Sequence, residues 1–230
     1  MTTQTLQTNV NYRRRDATES FISNDEILAY LNEGLQKAQA DYDWEFTKIS
    51  TSFTFTNGSS MYALSAIAVD NKFPIGIFYT DDYDFEMVSP DDVRRLSSSG
   101  NYNMYATDNA YLYVDTSFGS GTLQYHYYST YMAKTSGGSW IAQLSTSSDV
   151  PLIPDRWQSM LIDYAAARCY QKEGLNDDYS IAYNDFIKSL ERMKREFPSR
   201  RKNTPKRMIH INELSLTNKL PKSKSNPLDQ

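Results

Sequence analysis

The residues best suited to chemistry in this 230-residue chain are few and far apart. His126 lies in LQYHYYS, and an imidazole serves as a general base only with a nucleophile or carboxylate held at hydrogen-bond distance. No G-x-S-x-G or comparable nucleophile motif accompanies it, and its place between Tyr125 and Tyr127 reads as a strand residue facing solvent. Cys169, in the alanine-rich run DYAAARCY, reads as a small buried hydrophobe. As the sole cysteine it excludes an internal disulfide, and with only two histidines a zinc cluster is not expected. Asp81, Asp82, Asp84 and Glu86 lack the glycine and the spacing of a calcium loop, so they read as a solvated loop leading into a strand. Gly119 with Gly121, and Gly137 with Gly138, are not followed by a lysine and a helix, as a phosphate loop requires. No catalytic residue, metal ligand or cofactor is expected.

Eight tyrosines lie between Tyr102 and Tyr131. Aromatic residues alternating on a β surface can stack on sugars or bases. Tyrosine is equally a good strand former with a polar end, suited to a face half covered by a neighbour. Charge is unevenly spread. From Ser199 onward eight lysines and arginines face Glu213 and Asp229, a balance of +6, which leaves −10 on the preceding 198 residues. An acidic body with a basic tail suggests that the tail seeks an acidic surface. No apolar run approaches the roughly 20 residues of a membrane span. The polar N-terminus has no signal-peptide core, so a soluble chain made in a reducing cytoplasm is expected.

The elements that would position these residues are clearer than any motif. Ser23 and Glu26 have capping-box spacing, with Ile22 and Ile27 placed for a hydrophobic staple. Ile27, Leu31, Leu35, Ala38 and Tyr42 then recur at helical spacing, so a helix is expected from Asn24 to Tyr42. Leu6 and Val10 are four apart and allow a short helix or arm before it, although Arg13 to Asp16 interrupts the stripe. From Thr47 the period becomes two, with Ile49, Thr51, Phe53 and Phe55 on one face. Asn57-Gly58 is a turn signal, and SMYALSAIAVD reads as the strand returning beside it. KFPIGIFYT and YDFEMVS read as further strands, the first pushed toward an edge by Pro74. SPDDVRRL reads as a helical turn or two, capped by Ser89 with Pro90 at its first position. YNMYAT, AYLYVD and TLQYHYYST return to strands, while KTSGGSW and STSSDV read as loops forming a mobile flap.

After Pro151 and Pro154, Trp157, Met160, Leu161, Tyr164 and Ala165 share one helical face, and Gly174 is a natural stop. Tyr179, Ala182, Phe186, Leu190, Met193 and Phe197 form a nearly heptad seam on a second helix, which Pro198 ends. The short turn between them implies an antiparallel hairpin. The fold class expected is therefore α+β. A helical bundle, made of the N-terminal helix and the C-terminal hairpin, would carry an inserted antiparallel β-sandwich or barrel. Its core would hold Ile27, Leu31, Leu35, Trp157, Leu161, Tyr164, Phe186, Leu190 and Met193, with Trp44 pinning the insertion to the bundle. The divisions are 1–46, 47–150, 151–198 and an extended basic arm over 199–230. In the arm, Met208, Ile209, Ile211, Leu214 and Leu216 alternate as an added strand would, and Lys206 and Arg207 precede them.

The order of LNEGLQKAQADYDWEF, YALS, SPDDVRRL, LQYHYYS, LIPDRWQSMLIDYAAARCYQKEG and the final tyrosine-bearing helix resembles the head-to-tail adaptor (connector) proteins of tailed bacteriophages. The likeness covers roughly residues 20–197. It implies a dodecameric ring at the virion neck, docked beneath the portal protein and presenting a surface to a tail or neck protein. DNA would pass through its lumen without sequence-specific binding. The arm residues Lys206, Arg207, Met208, Ile209, Ile211, Leu214 and Leu216 would then grip the portal or a neighbouring subunit. The alternative is a carbohydrate-binding β module on a helical oligomerisation base.

Overall fold

A computed structural model describes residues 1–14, 21–56, 61–79, 83–96, 104–108, 110–114 and 120–197. The chain begins with helices α1 (Thr3–Arg14) and α2 (Asn24–Asp41), then strand β1 (Lys48–Phe55). β2 (Met61–Ala63), the single helical turn α3 (Leu64–Ile67), β3 (Asn71–Tyr79), β4 (Tyr83–Asp84) and β5 (Glu86–Met87) follow. Next come α4 (Pro90–Leu96), β6 (Met104–Thr107), β7 (Tyr111–Val114) and β8 (Gly121–Ser129). The short strands β9 (Ala133–Lys134), β10 (Trp140–Ile141) and β11 (Val150–Pro151) precede helices α5 (Ser159–Glu173) and α6 (Asn176–Glu196). The class is mixed α+β, with six helices and several antiparallel sheets among the described residues.

Local chemistry sets the helix ends. The Ser23 hydroxyl accepts from the Glu26 amide at 3.2 Å and the Glu26 carboxylate accepts from the Ser23 amide at 3.1 Å, a complete capping box. Ile22 and Ile27 are both fully buried beside it. α5 ends at Gly174, whose φ of +77° is open to glycine at little cost. There the Leu175 amide reaches back to the Tyr170 carbonyl at 2.9 Å. Ser89 caps α4, accepting from the Asp92 amide at 3.2 Å.

One core gathers Leu6 and Val10 of α1, Ile27, Leu31 and Leu35 of α2, Leu161, Tyr164 and Cys169 of α5, and Phe186, Leu190 and Met193 of α6. α2 and α5 approach closely because position 34 is glycine. A Cβ there would stand 3.1 Å from the Tyr164 ring. Trp157 lies at the margin of this core, not within it. It belongs to a 3₁₀ turn, Asp155–Trp157, ahead of α5 and is partly exposed, and its indole donates to the Glu196 carboxylate at 3.1 Å. The polar end of the indole finds its partner at the surface, which keeps the ring out.

A second core draws on two four-stranded sheets, ordered β1-β8-β3-β4 and β2-β7-β6-β5. It packs Phe53, Phe55, Ile77, Leu123, Tyr125 and Tyr127 of the first sheet with Tyr105, Leu112 and Val114 of the second and Phe85 from the link between them. Several expectations need correction here. β1 does not pair with the segment after Asn57-Gly58, a dipeptide outside the described residues. It pairs with β8, from Lys48↔Tyr128 to Phe55↔Gly121, while β2 pairs with β7. Tyr62 meets Phe53 across the core, ring centroids 5.5 Å apart, where a hairpin would set the segments side by side. YDFEMVS is not one strand, because Phe85 turns inward and its amide donates to the Ile77 carbonyl at 3.1 Å. β4 thereby falls in the first sheet and β5 in the second. β5 also runs parallel to β6, so the sheets are not wholly antiparallel. β3 lies between β8 and β4, but β4 pairs only with Phe78 and Tyr79, so Pro74 sits on the stretch that β4 does not reach.

The segment read as a mobile flap is built structure. β10, β9 and β11 form a third sheet, and Met132, Ala133, Leu144 and Ile153 join the helical core. The Asp149 carboxylate accepts from the Ser145 and Thr146 amides at 2.8 and 2.7 Å, which ties the STSSD loop into one conformation.

Candidate interaction surfaces

The junction of helices and sheets is held by aromatic and charged side chains. Trp44 is buried, its indole donates to the Ala38 carbonyl at 2.7 Å, and its ring stacks on Phe46 at 5.6 Å. Phe46 in turn meets Phe197, beyond the end of α6, edge-on at 5.7 Å. From β3, the Lys72 amino group reaches the Gln39 and Tyr42 carbonyls and the buried Asp43 carboxylate. At the other end, Asn32 of α2 holds both the amide and the carbonyl of Leu144, at 2.8 and 2.9 Å.

α1 is bound along its whole length. The Thr3 and Gln4 amides, unsatisfied within a helix's first turn, donate to the Asp149 and Ser147 carbonyls at 2.9 and 3.1 Å. Arg13 pairs with Asp163 and, at 3.1 Å, with Asp185. Arg14 pairs with Glu173. Burial raises the Asp163 pKa above the ordinary carboxylate value, against the opposing pull of the Arg13 charge. The arginines that interrupt the apolar stripe in the sequence are thus the clamp that fastens α1 to the hairpin.

The residues singled out for chemistry lie apart. His126 is half-buried, opposite Ser50 and Gly76, with its Nε2 3.4 Å from the Ser50 hydroxyl. Burial and then the Lys48 charge lower its pKa below 6.5. Cys169 is fully buried, and burial pushes its thiol up to about 12. Among the described residues no group of three His, Cys, Asp or Glu is gathered to hold a metal, and no helix is long and apolar enough to cross a membrane. Asp81 and Asp82 lie outside those residues.

Five of the tyrosines between 102 and 131 are not an open platform. Tyr105, Tyr113, Tyr125, Tyr127 and Tyr128 are buried within their own chain. Tyr127 donates to Asp70 at 2.7 Å and Tyr125 to Asn71 at 2.9 Å, with their rings stacked at 5.2 Å. Tyr111 is exposed and Tyr102 lies outside the described residues. Buried rings can stack neither on a sugar nor on a neighbouring subunit. On the helical side Tyr12, Phe21, Leu175 and Ile181 are exposed, as are Met61 of β2 and Val69 in the turn before β3. The arm residues Lys206, Arg207, Met208, Ile209, Ile211, Leu214 and Leu216 all lie outside the described residues.

Helices from both ends of the chain are joined to the sheets by ion pairs and aromatic contacts. The model of the SU10 adaptor protein family matches residues 1–208. The chain belongs to that family and is a phage head-to-tail adaptor, the class its sequence resembles. No curated protein sequence matches it.

Proposed function

We propose that the protein forms a dodecameric ring beneath the portal, extending the DNA channel and presenting its lower surface to a tail or neck protein. Chains made in the host cytoplasm assemble at the virion neck and act without catalysis or a cofactor. In this reading residues 1–46 and 151–198 form the bundle, 47–150 an inserted β-sandwich, and 199–230 the arm. Membership of the adaptor family over residues 1–208 carries the proposal. The charge balance supports it, because a body of −10 repels phosphate along a lumen and lets DNA slide past unread. The arm, through Lys206, Arg207, Met208, Ile209, Ile211, Leu214 and Leu216, grips an acidic surface. Burial of most of the central tyrosines favours this reading over carbohydrate binding.

Mixing the purified full-length chain with purified portal and measuring complex mass by light scattering tests the proposal. A co-sedimenting ring, seen end-on by electron microscopy as twelvefold, is the expected result. Portal and chain migrating separately at micromolar concentration would overturn it.

A further inference from the structure

We infer that Arg13 makes α1 a counter-ion strap for the α5–α6 hairpin, so that seating of α1 and closure of the hairpin form one coupled event, independent of the ring reading above. Asp163 of α5 and Asp185 of α6 lie equally far from Gly174 on either side. A hairpin that turns at this glycine brings the two carboxylates to the same level. Among the described residues no lysine or arginine of the hairpin pairs with either of them. Arg168, Lys172 and Lys194 are turned instead to Glu33, Glu26 and Asp41 of α2. The cation comes from α1. One terminal nitrogen of the Arg13 guanidinium lies on Asp163, and the other stands 3.1 Å from Asp185. Around this group, Tyr170 of α5 donates to the Arg13 carbonyl at 3.0 Å and Glu173 of α5 holds Arg14. Asp178 of α6 is the further charge on that side, acting on Tyr170.

The two carboxylates are unequal. The Asp163 side chain is 11 % exposed and that of Asp185 43 %. Burial pushes the Asp163 pKa up and the Asp185 charge adds to it, while Arg13 pulls the other way. Without the guanidinium, Asp163 keeps its burial and its negative neighbour but loses its cation. Carboxylates that share a site do not both ionise freely, and breaking a buried pair strands the charge that remains. The hairpin then has two outlets: Asp163 takes up a proton, or the helices part near Asp185. α1 has other holds, since Leu6 and Val10 are buried, the Thr3 and Gln4 amides are bonded and Arg14 keeps Glu173. The charge of Arg13 can thus be removed with the helix still seated. Such a coupling is reciprocal, so α6 senses α1 through one side chain.

Hydrogen exchange of the full-length chain, read by mass spectrometry, tests the coupling. Arg13→Gln should speed amide exchange about tenfold in α6 around Asp185 as well as in α1. Adding Asp185→Asn should slow α6 again while α1 stays loosened, because the repulsion is gone but the tether is not restored. A side chain that only ties α1 down behaves otherwise. Loosening of α1 with α6 unmoved, or no recovery of α6 in the double variant, would overturn the inference. Should Arg13→Gln prove too unstable for exchange, melting decides. Arg13→Gln with Asp163→Asn should melt above Arg13→Gln alone at neutral pH, and a double variant melting at or below the single one overturns the coupling. The pH profile gives a third readout. A carboxyl whose folded pKa is raised costs stability above that pKa, and the cost is recovered as pH falls through it. The melting deficit of Arg13→Gln against wild type should therefore shrink from about pH 7 to about pH 4 as Asp163 takes up its proton. A deficit that stays constant over that range also overturns the inference.

Discussion

The Lys72 amino group lies 3.2 Å from the carboxylate of Asp43, joining a strand of the first sheet to the residue where α2 gives way to the sheets. The same cation takes the Tyr42 carbonyl at 2.7 Å and that of Gln39. α2 has no basic residue in its own last turn, so Lys72 supplies from outside the positive charge that a helix C-terminus favours.

Lys72→Met keeps most of the side chain's length but removes this charge from a carboxylate that is 1 % exposed. A loss of about 3 kcal/mol is expected, the low end for removing one partner of a buried pair. Chemical denaturation of the full-length chain measures it. Wild-type stability in the variant would mean that the joint rests on Trp44 and Phe46 alone.

Phe186 and Leu190 face α5 from the buried side of α6. Truncating either to alanine removes packed volume that the surrounding helices cannot refill, at about 2–5 kcal/mol each. Thermal melts check this, and an unchanged midpoint would place the seam elsewhere.

Burial pushes the Asp149 carboxyl up, but the Ser145 and Thr146 amides and hydroxyls outweigh it and hold the group below its ordinary 3.8. A carboxyl depressed in the folded state stabilises the fold above its unfolded pKa, and that contribution fades as pH falls through the folded value. Asp149→Asn should therefore melt below wild type at pH 7, with the gap closing from about pH 4 downward. A gap that stays constant to pH 2 would show that the carboxylate charge is not what holds the loop.

Deleting residues 204–230 should leave the far-ultraviolet spectrum of the body intact and abolish stable attachment to the portal. Undiminished attachment of the truncated chain would make the bundle the gripping surface.

Local signals made α2 and α6 legible in the sequence. A cap, a staple and a stripe lie within a few residues of one another, and α6 repeats its apolar residues for five turns. α1 is harder to read because its stripe is only Leu6 and Val10. Its stability comes instead from Arg13 and Arg14 reaching Asp163, Asp185 and Glu173, partners about 150 residues or more away in sequence. Strand partners failed for a related reason. Asn57-Gly58 is a turn signal in the sequence alone, whereas β1 pairs with β8 some 70 residues later, and only the shared aromatic core selects that pairing. Composition alone makes the STSSDV segment read as a loose flap. Serines and threonines that read as slack become ligands once Asp149 is buried among them.

The helical core takes residues from both ends of the chain, and that arrangement sets an order of events during translation. Ile27, Leu31 and Leu35 leave the ribosome well over a hundred residues before the α5 and α6 side chains that cover them. At ordinary elongation rates the delay is about 7–30 s, long compared with the folding of a small sheet. The sheet core, whose members run from Phe53 to Tyr127, is complete before α5 is made. A nascent chain arrested with β8 outside the ribosome and α5 still in its exit tunnel should thus show a protease-resistant β body beside a cleavable α2. Until synthesis nears its end, the first-made apolar stripe remains a sticky surface on an otherwise folded intermediate.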